Sequence, residues 1–61
     1  MNKLYTALII DDEAPARIGL QSLLKEFPET IQILDTAKNG IEAQEKIINL
    51  QPDIIFLDIE M

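Results

Sequence analysis

Apolar residues occur in two kinds of block along this chain. Leu4-Tyr5-Thr6-Ala7-Leu8-Ile9-Ile10 is nearly continuous, partly β-branched, and stops abruptly at Asp11-Asp12. A short run without period, bounded by polar residues, predicts a strand buried on both faces. Asp53-Ile54-Ile55-Phe56-Leu57-Asp58 repeats that pattern and predicts a second such strand. Between them the period changes. Over Ala14 to Phe27, Ala16, Leu20, Leu23, Leu24 and Phe27 share one helical stripe. Pro15 suits the first turn, where a missing N–H costs nothing, and Pro28 stops the helix. Ile31 to Ala37 reads as a weaker, edge-type strand with Ile31, Ile33 and Asp35 on one face. Asn39 is a good N-cap for a second helix from Gly40 to Leu50, where Ala43, Ile47 and Leu50 recur at helical spacing and Pro52 closes the element.

The order is therefore β-α-β-α-β, an α/β pattern that implies parallel strands joined by right-handed crossovers. The two all-apolar strands belong in the interior as neighbours. This predicts the spatial order second–first–third, with one helix on each face of the sheet. The carboxyl ends of the first and third strands then lie side by side, at the switch point where open α/β sheets build their sites.

Composition sharpens this picture. The chain has 61 residues, 48% of them hydrophobic and 26% charged, which is ordinary for a folded domain. Its length, however, supports only a small core. It has no Cys and no His, which excludes disulfides, thiolate or imidazole metal sites and every catalytic triad that needs an imidazole. A net charge of −6 disfavours direct contact with nucleic acid and suits cations or basic partners. The longest unbroken apolar run is four residues, too short for a membrane span or the apolar core of a signal peptide, so a soluble cytoplasmic protein is expected.

The candidate chemistry lies in the acids at the strand ends. Asp11 and Asp12 follow the first strand and Asp58 ends the third. Three converging carboxylates repel one another unless a cation intervenes, and oxygen donors suit Mg²⁺. Such a site also attracts phosphate, and a carboxylate held there can act as a nucleophile and form an aspartyl phosphate. Each acid also has a plain structural reading. Asp11 or Asp12 alone serves as a helix cap, Glu13 as a first-turn acid facing the helix dipole, and Asp58 as a turn residue. Arg17, one turn into the first helix, covers apolar surface with its stem. Neither G-x-G-x-x-G nor G-x-x-x-x-G-K-[ST] occurs, so nucleotide binding has no support.

Ala7-Leu8-Ile9-Ile10-Asp11-Asp12-Glu13, then Asn39-Gly40 with Glu42-Ala43, then Pro52 through Asp58-Ile59-Glu60-Met61 resemble the receiver domain of two-component response regulators. Asp-Asp-Glu-Ala-Pro-Ala-Arg and the Asp-Ile-Glu-Met ending look most like receivers that precede a LytTR-type DNA-binding domain. The resemblance implies a flavodoxin-like fold and a role for each acid. Asp58 matches the phospho-acceptor. Asp12 matches the direct Mg²⁺ ligand, Asp11 the acid acting through metal-bound water, and Glu60 the residue whose backbone carbonyl reaches the metal. The donor would be the phosphohistidine of a sensor histidine kinase.

A complete receiver of this family has five strands, a hydroxyl residue ending the fourth and a lysine ending the fifth. The chain carries none of these, and Gln44 stands where an apolar residue commonly follows Glu-Ala. Residues 1–61 therefore read as the N-terminal half of a receiver with no effector domain, DNA being reached only through an effector elsewhere. In such a half the third strand becomes an edge, expected to pair in a homodimer or with a missing C-terminal half. Ile18 lies off the main helical stripe, where a further helix would pack. Two other readings compete: a non-catalytic interaction module, and a metal-dependent phosphatase with an aspartyl nucleophile. The second is disfavoured because Glu60 stands where a second Asp is common.

Overall fold

A computed structural model describes residues 3–57. The elements are β1 (Tyr5–Ile10), α1 (Ala14–Leu24), β2 (Ile31–Ala37), α2 (Gly40–Leu50) and β3 (Ile54–Leu57). The three strands form one parallel sheet in the order β2-β1-β3, as the sequence pattern predicts. The first crossover runs outward from β1 to β2 and the second returns across β1 to β3. Right-handed crossovers, the rule for such connections, put helices so connected on opposite faces of a sheet. Each helix packs on β1 and β2. Ala7, Leu8 and Ile9 consequently lose nearly all contact with solvent, on both faces of the central strand.

β2 and α2 have the predicted limits. Asn39 caps α2 as expected: the Glu42 N–H donates to its Oδ1 at 2.9 Å. The helix ends at Leu50, and its C-cap Gln51, with φ of 50°, lies in the left-handed region just before Pro52. Ala43 is buried and Ile47 half-buried, but Leu50 is exposed.

α1 departs from its predicted form in length and rotation. It ends at Leu24, and the Glu26 and Phe27 N–H groups donate to carbonyls three residues back, so the chain tightens into turns before Pro28. The inward stripe is Leu24, which is buried, with Arg17, Leu20 and Gln21 half-buried, whereas Ala16, Leu23 and Phe27 of the predicted stripe face solvent. The apolar surplus of α1 is wider than the strip of sheet it covers, and the sheet selects which edge of that surplus goes inward. Ile18 is also exposed, off the stripe as predicted.

β2 is an edge strand, and it carries an irregularity. Ala7 pairs with Ile33 but Leu8 pairs with Asp35, which leaves Leu34 as the extra residue. The shift exposes Asp35 instead of leaving it beside Ile31 and Ile33. β3 forms the other edge of the described sheet, as expected for a three-stranded half. Ile54 and Phe56 are half-buried, while Ile55 and Leu57 are 44% and 57% exposed. Among the described residues, no helix is long and apolar enough to cross a membrane.

Candidate functional site

The carboxyl edge of the sheet is built by the pairing of β1 with β3. Ile10, the last residue of β1, lies opposite Leu57, the last of β3. Asp11 follows the one and Asp58 the other in sequence. Asp58 and Glu60 themselves lie outside the described residues. Ile9, Ile10, Asp11, Leu20, Phe56 and Leu57 line a hollow of about 200 Å³ at this edge.

Asp11 is held firmly. Its backbone N–H donates to the Ala37 carbonyl at 3.0 Å, extending the β1–β2 ladder by one residue. The residue is only 7% exposed, and Oδ1 accepts the Glu13 N–H at 2.9 Å. This closes an Asx turn between strand and helix. Neither Asp11 nor Asp12 caps α1. The N-cap residue is Glu13, in extended conformation and with no side-chain capping bond. Asp12 is exposed at the top of the turn.

Arg17 does more than cover apolar surface. Its Nη1 donates to the Asp11 carbonyl at 2.7 Å, across a partly buried gap between α1 and the strand end. Nothing in the spacing of Asp11 and Arg17 singles this bond out, because its acceptor is a main-chain atom. Among the described residues Arg17 makes no ion pair, and neither do Asp11 and Asp12.

The donor set can be tested against Mg²⁺. Asp11 uses one carboxylate oxygen on Glu13, and the other accepts no hydrogen bond among the described residues. Asp12 adds a second, solvent-facing carboxylate. Hard oxygen donors without a cationic partner fit a divalent cation. Among the described residues, however, no three acidic side chains gather closely enough to hold one. The described residues thus contribute Asp11 and Asp12 as candidate oxygen donors at this edge, and Asp58 and Glu60 lie outside them.

Two further acids serve the frame. At the start of β3, Asp53 Oδ2 accepts both the Thr6 N–H at 2.9 Å and the Thr6 hydroxyl at 3.1 Å, and the Asp53 N–H donates back to the Thr6 carbonyl at 3.0 Å. The backbone bond from Thr6, then its hydroxyl, hold the Asp53 carboxyl below the usual carboxylate range. The sequence pattern does not reveal this clamp, since its partners are 47 residues apart. Asp35, beside the β2 irregularity, is likewise held low, first by the Thr36 N–H and then by Lys46. Lys46 joins Asp35 at 3.2 Å and Glu42 at 3.6 Å, tying α2 to the β2 edge.

No family model matches the chain, and no solved structure matches it. Curated proteins do. The chain is 44% identical over 61 residues, all of its length, to an uncharacterised response regulatory protein of Vibrio cholerae, of which it covers 23%. A second response regulatory protein of that organism is 47% identical over 58 residues, which are 95% of this chain and 24% of the relative. A protein-glutamate methylesterase/protein-glutamine glutaminase of Desulfitobacterium hafniense is 46% identical over 56 residues, 92% of this chain and 14% of the relative. The chain thus spans less than a quarter of the length of these relatives.

Proposed function

The chain is homologous to response regulators, and from that premise we propose that residues 1–61 form the N-terminal half of a receiver whose Asp58 accepts a phosphoryl group. The observation that carries this reading is the β1–β3 pairing. It sets Ile10 opposite Leu57, one residue before Asp11 and one before Asp58.

In this proposal Asp11, Asp12, Asp58 and the Glu60 backbone carbonyl hold Mg²⁺. The ion supplies charge neutralisation for the phosphoryl oxygens. The donor is the phosphohistidine of a sensor histidine kinase. A carboxylate oxygen of Asp58 bonds to phosphorus, the P–N bond breaks, and its electron pair stays on the imidazole nitrogen. The product is an acyl phosphate on Asp58. The segment is a phospho-acceptor, not an enzyme with turnover on an outside substrate.

The proposal extends to the longer protein. By its resemblance to receivers preceding LytTR domains, that protein acts as a cytoplasmic transcriptional regulator and meets DNA through its effector rather than through this acidic segment. The exposed β3 edge serves for pairing, with a second copy or with the rest of the receiver.

The test is incubation with Mg²⁺ and a small acyl-phosphate donor, followed by intact-protein mass spectrometry. One phosphoryl adduct is expected, lost in Asp58→Asn. An adduct that persists in Asp58→Asn rejects the acceptor assignment, and no adduct on folded wild-type protein rejects phospho-acceptance. The non-catalytic interaction reading would show self-association indifferent to Mg²⁺ and to Asp12→Ala.

A further inference from the structure

We propose that Arg17 is a positioning residue for the acidic site: by gripping the Asp11 carbonyl it fixes the turn that presents the Asp11 and Asp12 carboxylates to a divalent cation. This rests on reading the carboxyl edge of the sheet as a cation site.

Three observations support it. First, the Nη1 to Asp11 carbonyl bond is short, at 2.7 Å, and partly buried. A charged donor on a carbonyl away from bulk water is among the stronger hydrogen bonds. Second, the same residue is fixed from its other sides, by Ala37 on its N–H and by Glu13 on its carboxylate. With Arg17 on the carbonyl, every polar group of Asp11 except one carboxylate oxygen has a partner. Third, the guanidinium forms no ion pair with the acids among the described residues. It holds the backbone and leaves the carboxylates unspent. A cation this near a dication site opposes metal binding by simple electrostatics, so its presence is explained by what it does to the turn.

That opposition gives the test its sign. If Arg17 acted through charge alone, removing it would tighten Mg²⁺ binding. As a positioning residue, its removal weakens binding. Mg²⁺ is titrated into wild-type protein, Arg17→Met and Arg17→Lys, followed by backbone amide NMR, with circular dichroism to verify folding. Arg17→Met, which keeps the apolar stem, should bind Mg²⁺ about tenfold more weakly, the usual scale for losing a group that orients a ligand. Arg17→Lys, with the charge and a single donor group, should fall between. In metal-free protein the Glu13 amide should shift and exchange faster in Arg17→Met, because the turn it closes has lost its anchor.

Mg²⁺ binding in Arg17→Met as tight as or tighter than wild type overturns the proposal, as does an unchanged Glu13 amide. If Arg17→Met does not fold, Arg17→Lys decides: binding equal to or tighter than wild type overturns it, and weaker binding supports it. Wild-type protein that binds no Mg²⁺ refutes the cation site itself, and the role of Arg17 with it.

Discussion

Leu8→Ala should bring the chain close to unfolding. Leu8 has no exposed surface and sits mid-strand in β1, flanked by Asp35 of β2 and Ile55 of β3. Truncating a fully buried leucine costs about 2–5 kcal/mol, from lost transfer energy and the cavity left behind. A core of this size rarely provides more than about 3–5 kcal/mol in total. With about 4 kcal/mol at the start and about 3 lost, roughly a sixth of the molecules would be unfolded in water. At a urea slope of about 1 kcal/mol/M, the midpoint would fall by about 3 M. Ile41→Ala is the control. Ile41 is also apolar, but it is 80% exposed near the start of α2. Its loss should change stability by less than about 0.5 kcal/mol, helped by alanine's better helix propensity. Urea titrations followed by circular dichroism compare the three proteins. Equal losses in the two variants, or a loss under about 1 kcal/mol in Leu8→Ala, would refute the assignment of the core to β1.

Two further outcomes follow from particular side chains. The Thr6 bonds hold the Asp53 carboxyl below its ordinary value of 3.8, so folding favours the ionised form; that stabilisation is complete above 3.8 and is lost as pH falls through the lowered folded value. Asp53→Asn should therefore flatten acid destabilisation below 3.8 without abolishing it, because Asp35 is shifted the same way, and an unchanged acid limb in denaturation curves would count against the clamp. Gly19 lies inside α1, and a Cβ built there meets no atom within 4 Å, so Gly19→Ala should stabilise the chain by about 0.5–1 kcal/mol in the same titrations; a destabilised variant would mean that α1 lies differently on the sheet.

The frame of the candidate site was legible in the sequence to the extent that it depends on strand pairing. The apolar run stopping at Asp11 marks where β1 finishes, and parallel pairing of neighbours sets Ile10 opposite Leu57, the residue before Asp58 in sequence. What the acids do within the turn was not legible. Asp11 reads from sequence as a helix cap, yet it closes an Asx turn onto Glu13 one residue before the helix begins. Caps and Asx turns use the same side chains at the same spacing and differ only in where the backbone turns helical.

By itself the sequence determined the element order, the limits of β2 and α2, the Asn39 cap and the strand order β2-β1-β3. Those follow from local periodicity, capping chemistry and crossover handedness, all of which act along the chain. The tertiary structure decided how α1 is rotated, so that Arg17 and Gln21 rather than Ala16 and Leu23 flank Leu20 and Leu24 on the sheet. It also placed the extra residue at Leu34, the Thr6–Asp53 clamp and the Arg17 grip on the Asp11 carbonyl. Periodicity says which residues share a face but not which part of a broad apolar face meets the sheet. A hydrogen bond to a backbone carbonyl leaves no mark on the identity of the residue that accepts it.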